Sequence, residues 1–169
     1  GGKYFPLSMS SSSFVESSLP IIQHILNPDI RLETHLPSDV MNAAIDSIQM
    51  EMVLSAMVTN SNEAIEGPGH VTISTKNTNL DQGFMEVHPS LKPGPYICIS
   101  IEDDGKGMDE KTRERILDPF FTTHFIGRGL GMAAVYGIVR NHNGGMSVES
   151  ETGKGTVVRI YLPAIEAQG

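Results

Sequence analysis

The chain has 169 residues, 39% hydrophobic and 19% charged, a size and balance that fit one compact domain with a short arm and exclude two full domains. Twelve Lys and Arg stand against 20 Asp and Glu, a net charge of -8 that argues against an electrostatic nucleic-acid surface, and no apolar run reaches the ~18 to 20 residues of a membrane-spanning helix. The single cysteine, Cys98, excludes an internal disulfide or a cysteine-cluster zinc site; within Ile97-Cys98-Ile99 it reads as a buried, inert thiol in a reducing compartment.

Residues 1–13 open Gly1-Gly2-Lys3 without an initiator Met and close on Ser10-Ser11-Ser12-Ser13, so they read as a linker or leftover arm of a piece taken from something longer. Residues 14–28 form an N-terminal helix or arm, with Phe14, Leu19, Ile22 and Ile25-Leu26 at helical spacing until Asn27-Pro28 stops them. The domain proper is expected over 29–165, followed by a tail at 166–169. Within it, Ile30, Leu32 and Thr34 alternate with polar or charged residues as a strand exposed on one face. A helix is predicted over 46–66, with Ile48, Met52, Val53, Met57 and Val58 as its apolar stripe and Gly67-Pro68-Gly69 as its end. Strand patterns at 71–75 and 96–102 flank a polar stretch containing Pro89, Pro93 and Pro95 that reads as a long loop.

Further helices are predicted over 110–117 and 130–141, with an irregular segment at 118–127 between them. Strands at 146–149 and 157–162 follow, joined by Thr152-Gly153-Lys154-Gly155, a loop too long for a two-residue hairpin turn. Strands and helices alternate without regular parallel units, which predicts a mixed sheet with helices packed on one face.

Three constellations carry chemistry. On the long helix Ala56, Asn60, Glu63 and Ala64 fall on one side, so an amide oxygen projects from a face of otherwise small residues. Magnesium prefers oxygen at about 2.0 to 2.1 Å and often takes only one or two protein ligands beside phosphates and water. The competing reading is a helical Asn facing solvent.

Next, Asp103-Asp104-Gly105-Lys106-Gly107 follows a buried strand. A carboxylate there can accept a hydrogen bond from an exocyclic amine, and the glycines let backbone approach a planar base. An acidic turn competes; a calcium loop fails because Gly105 and Gly107 occupy slots that need oxygen ligands.

Third, Gly127-Arg128-Gly129-Leu130-Gly131 opens a helix, presenting free N–H groups and the positive dipole end to an anion. A dinucleotide fold would place these glycines after a strand, whereas Asp118-Pro119-Phe120-Phe121-Thr122-Thr123 precedes them. Gly153-Lys154-Gly155-Thr156 is no Walker loop, since Val148 stands where the first glycine belongs. Residues 105–128 hold five basic against four acidic side chains, and the rest of the chain seven against sixteen, so the least acidic stretch borders the proposed phosphate site.

In order and spacing these motifs resemble the nucleotide-binding domain of sensor histidine kinases, in the superfamily shared with type II topoisomerases, heat-shock chaperones and mismatch-repair ATPases. The resemblance covers about residues 30–163: an N box at 49–64, a first glycine box at 103–107, an F box at 118–123, a second glycine box at 127–131, and closing strands from Gly153 to Pro163. It implies a two-layer α/β sandwich of the Bergerat type that binds ATP and Mg²⁺, with Asn60 on the metal, Asp103 on the adenine amino group and Gly105 and Gly107 along the base. It extends ATP contact to Glu63, Ala64, Met108, Phe120, Thr122 and Thr123. Gly127, Arg128, Gly129, Leu130 and Gly131 border the phosphates, and His124-Phe125-Ile126 forms a short lid.

Two departures stand out. Ala56 replaces an Asn usual in the kinases, weakening metal affinity, and His124 replaces a Lys, making any phosphate contact there depend on pH. The ATPases of the superfamily carry a Glu at the position of Ala56 to activate water, so hydrolysis as the main task is disfavoured.

The resemblance therefore implies the catalytic domain of a two-component histidine kinase. It positions Mg-ATP for transfer to a histidine on a separate dimerisation domain of the same parent, with a response-regulator receiver domain downstream. The segment is expected to be cytoplasmic, without direct membrane contact, in a parent that can itself be membrane-anchored. None of His24, His35, His70, His88, His124 and His142 is followed by the acidic residue usual in the acceptor motif, and His24 reads as a surface-helix histidine. A nucleotide-sensing module without catalysis and an ATPase clamp are the alternatives.

Overall fold

Alternating β-branched residues build the centre of the sheet. Val71 and Ile73 on one strand and Ile97, Ile99 and Ile101 on the next are almost wholly buried, each worth about 1.5 to 3 kcal/mol of apolar burial. In the computed structural model, which describes residues 4–87, 91–112 and 131–165, the chain begins with β1 (Leu7–Ser10), α1 (Ser11–Ile25), β2 (Ile30–His35) and β3 (Asn42–Ile45). It continues through α2 (Ser47–Ala64), β4 (Gly69–Leu80), α3 (Gln82–Val87) and β5 (Gly94–Asp103). It ends with α4 (Met132–Asn141), β6 (Gly145–Glu151) and β7 (Gly155–Ile165).

The strand order is β1-β3-β7-β5-β4-β2, with β6 also on β7. Only β2 and β4 among these pairs run parallel, from Ile30↔Gly69 to His35↔Ser74. The β4–β5 register runs from Val71↔Asp103 to Leu80↔Gly94, which sets Asp103 at the end where β4 begins. The result is an open mixed sheet with α1, α2 and α4 on one face. No described helix is long and apolar enough to cross a membrane.

Several boundaries differ from the expectation. Residues 7–13 are no linker: β1 pairs with β3 from Leu7↔Ile45 to Ser10↔Asn42, and α1 begins at Ser11 with the Ser10 side chain capping the Ser13 N–H. Ser11 and Ser12 are buried, and Ser12 Oγ lies 2.6 Å from both Pro37 O and Thr75 Oγ1, so hydroxyls rather than apolar groups seat this end of the helix. The long polar loop shrinks because β4 extends to Leu80 and β5 starts at Gly94. Between them α3 covers the opposite face of the sheet, where Phe84 meets Tyr161 edge-on beside the buried Cys98.

The stripe on α2 is also rotated. Ile48 is 76% and Met52 44% exposed, while Met50, Val53, Leu54, Ala56, Met57, Val58 and Ser61 are buried against neighbouring elements. His24 is exposed on α1, as expected. Residues 110–112 are helical; the remainder of the helix predicted there and the irregular segment after it lie outside the described residues.

Helices α2 and α4 run side by side in opposite directions. Asp46 caps the start of α2, accepting the Gln49 N–H on Oδ1 at 3.0 Å and the Phe5 N–H on Oδ2 at 2.8 Å. His142, buried at the end of α4, accepts the Asp46 N–H on Nε2 at 3.0 Å and donates from Nδ1 to Ile138 O at 2.8 Å, so its ring is a neutral tautomer. Tyr4 packs edge-on against it at 4.9 Å.

Candidate nucleotide site

The C-terminal end of α2, the end of β5 and the start of α4 meet around a cavity of about 110 Å³. Asn60, Ser61, Glu63, Asp103 and Lys106 supply its polar lining. Met57, Met108, Met132, Val148 and Val158 supply most of the rest, three of them polarisable thioethers that adapt to an aromatic ring.

Asp103 is 7% exposed. Its Oδ2 accepts the Ser61 hydroxyl at 2.9 Å and its Oδ1 the Gly105 N–H at 2.9 Å. Burial nevertheless dominates and pushes this carboxyl above the usual carboxylate range, the hydrogen bonds from Gly105, Ser61 and the Thr156 backbone offsetting only part of the cost. A buried carboxylate short of donors is suited to a ligand that brings one.

The loop after β5 is pinned by backbone. Lys106 N–H donates to Ala64 O at 2.9 Å, Gly153 N–H to Lys106 O at 2.7 Å, and Met108 N–H to Ser150 Oγ at 2.7 Å. Gly107 has φ +69°, and a Cβ there would run into the Glu151 carbonyl, so only glycine lets this loop lie on the β6–β7 turn. On the other side Asp104 accepts the His70 N–H at 2.8 Å and lies 3.1 Å from its Nδ1; the backbone bond first, then the ring, holds this carboxyl below the usual range.

Asn60 donates from Nδ2 to Met132 Sδ at 3.8 Å, a weak bond that leaves the carbonyl oxygen for another partner. Met132 is the first residue of α4, and the cap residue Gly131 makes no side-chain cap bond, so the uncapped positive end of α4 abuts the cavity.

Asn60, Glu63, Ala64, Asp103, Gly107 and Met108 thus share one cavity. Two positions differ from the expected face. Gly105 packs against the Ala64 carbonyl and serves Asp103 through its N–H, and Ala56 belongs to the core while Met57 takes the cavity side. Phe120, Thr122, Thr123, Gly127, Arg128, Gly129 and Leu130 lie outside the described residues, as does the lid. Sequence reasoning passed over Ser61, Lys106 and Thr156, which line the cavity as well. Lys106 lies inside a recognised motif, but Ser61 reads as an ordinary helical serine, and Thr156 arrives through the β5–β7 register, which no local pattern encodes.

Comparison with known proteins identifies the family. Residues 45–166 match the family described as histidine kinase-, DNA gyrase B-, and HSP90-like ATPase. Sensor kinase CckA of Brucella abortus is 31% identical over 147 residues, covering 86% of this chain and 16% of its own. Sensor histidine kinase ZraS of Salmonella typhi is 31% identical over 156 residues, covering 88% of this chain and 30% of its own. The chain therefore spans less than a third of the length of these relatives.

Among solved structures, full-length ShkA in complex with AMPPNP superposes with a TM-score of 0.74 at 18% identity, over 99% of this chain and 33% of that one. The catalytic domain of histidine kinase ThkA gives 0.72 at 19% identity, over 95% and 97%. These two likenesses establish the fold. The chain belongs to the histidine kinase-, DNA gyrase B-, and HSP90-like ATPase family, and the relatives it matches are sensor kinases.

Proposed function

We propose that the cavity between α2, β5 and α4 binds the adenine of Mg-ATP and that the domain presents the γ-phosphate to a histidine on a separate dimerisation domain of its parent. The observation that carries this reading is the buried Asp103 carboxylate, whose burial outweighs its donors, sharing one cavity with Asn60. The carboxylate accepts the exocyclic amine, and Gly107 and the methionines flank the ring. Triphosphate leads toward the N-terminal end of α4, which opens at Gly131 without a side-chain cap.

The donor set fits magnesium. Asn60 offers one neutral carbonyl oxygen, and among the described residues no group of three or more His, Cys, Asp or Glu is gathered as a cage, so phosphate oxygens and water would complete the shell. Bound there, the ion neutralises phosphate charge. The residues of this chain do the rest by orienting the base, excluding water from it and holding the chain of phosphates in line for an incoming imidazole nitrogen. A response-regulator receiver domain is then the next acceptor.

Ala56 sits in the core with no proton acceptor of its own, which disfavours the ATPase clamp. Titration with Mg-ATP, followed by addition of a helical hairpin bearing the phosphoacceptor histidine, tests the reading. Binding and phosphohistidine on the hairpin support it. Binding without transfer to any cognate hairpin favours the sensing module, and rapid phosphate release by the domain alone favours the clamp.

A further inference from the structure

Donors from different elements hold Asp103, the Thr156 backbone of β7 among them. The Gly105 N–H comes from the loop and takes Oδ1, and the Ser61 hydroxyl comes from α2 and takes Oδ2, both at 2.9 Å. One bond on each oxygen prevents rotation of the carboxylate plane, so its remaining lone pairs point in one direction. Ser61 is 4% exposed and itself lines the cavity. A hydroxyl has a single proton, and here that proton is committed to Asp103, which turns the Ser61 oxygen into an acceptor on the cavity side.

We propose that Ser61 is a positioning and specificity residue: it aims the Asp103 carboxylate at position 6 of the purine and, by spending its proton there, makes this corner of the site accept a 6-amino group and reject a 6-oxo group. The proposal rests on the nucleotide reading above. A 6-amino purine brings donors to two acceptors. A 6-oxo purine brings an acceptor to the same two, and the buried groups are left unpaired, which is the costly case.

Loss of the Ser61 donor has two consequences. The carboxylate is freed to turn, and burial, now less opposed, pushes its proton affinity higher; a protonated Asp103 can donate to a 6-oxo group. The charged groups on the cavity side are Glu63 of α2 and Lys106 of the loop, with Asp104 next along the chain, and Glu102, Glu149, Glu151 and Lys154 lie on its far side; the cavity-lining residues of β6, β7 and α4 are not ionisable. All of these charges stay unchanged in the variants below.

The test measures the affinity of the whole chain for Mg-ATP and for Mg-inosine triphosphate, from acidic to neutral pH, in wild type, Ser61→Ala, Ser61→Thr and Asp103→Asn. Alanine is a strong helix former, so Ser61→Ala is expected to fold. Its ATP affinity should fall roughly tenfold, the loss of one hydrogen bond to a charged group. Its preference for ATP over inosine triphosphate should shrink with it, the acid limb of its binding profile should move to higher pH, and Ser61→Thr should restore all three.

If Ser61→Ala matches wild type, or loses ATP affinity with its preference and acid limb unmoved, the proposal is overturned while the nucleotide reading stands. Full ATP affinity in Asp103→Asn removes the nucleotide reading itself.

Discussion

Two buried aspartates divide the molecule into a part that is finished and a part that is waiting. Asp46 and Asp103 are 5% and 7% exposed, yet their protons respond in opposite directions. At the start of α2 the backbone N–H groups of Gln49 and Phe5 hold Asp46 below the ordinary carboxylate range. At the end of β5 burial outweighs the donors around Asp103 and raises it. A structural carboxylate is satisfied by its own fold, whereas a binding carboxylate is left in deficit, and the deficit is what a ligand fills.

The strongest way to break this contrast is Asp103→Asn. It should lower ATP affinity roughly 100-fold, because the amide can present a donor where the base presents its own, while thermal stability stays level or rises. A calorimetric titration together with a melting curve reads both, and a melting point well below wild type would place Asp103 with Asp46. Asn60→Ala extends the same idea to a polar group held, among the described residues, by a weak bond to sulfur. ATP affinity with magnesium should drop about tenfold to the metal-free value, and equal wild-type affinity with and without the metal would contradict it.

Asp46→Ala should do the reverse of Asp103→Asn. Loss of the helix cap and of the bond to Phe5 should cost about 1 to 2 kcal/mol in urea unfolding, with the ATP affinity of the folded protein unchanged.

The subtlest expectation concerns pH. The contribution of Asp46 is present above its unfolded-state pKa and fades as pH falls through its depressed folded value. The Asp103 contribution has the other sign: it is present below the unfolded-state pKa and is lost as pH rises through the raised folded value. Relative to wild type, Asp103→Asn should therefore gain stability from acid to neutral pH and Asp46→Asn should lose it. Urea midpoints across that range that move in parallel for the two variants would dissolve the distinction.

Much of this was legible before any coordinates. Asp103, Asn60 and Gly107 stand in local motifs, and β4, β5 and the two helices beside the cavity announce themselves through periodic apolar residues. Features built from distant partners stayed hidden. Ser12 belongs to a buried helix start because Thr75 and Pro37 meet its hydroxyl, and a serine run carries no such message in its own composition. Strand β3 is four residues long and becomes a strand through β1 and the tail of β7. The stripe on α2 missed Met50 and Leu54 and included the exposed Ile48, because the helix is covered from more than one direction. Ser61 gained its meaning only when β5 delivered Asp103 to it.

The histidine that closes α4 has a mechanical corollary. At one end of the α2–α4 pair an imidazole bridges two backbone groups through bonds of 3.0 and 2.8 Å out of reach of water. At the other end the two helices touch through an amide and a thioether 3.8 Å apart. The polar links of the pair are thus firm at one end and slack at the other, where Met132 is otherwise seated by apolar packing. A guest that draws the Asn60 amide away from Met132 gives up one weak hydrogen bond and leaves the buried pivot as it was.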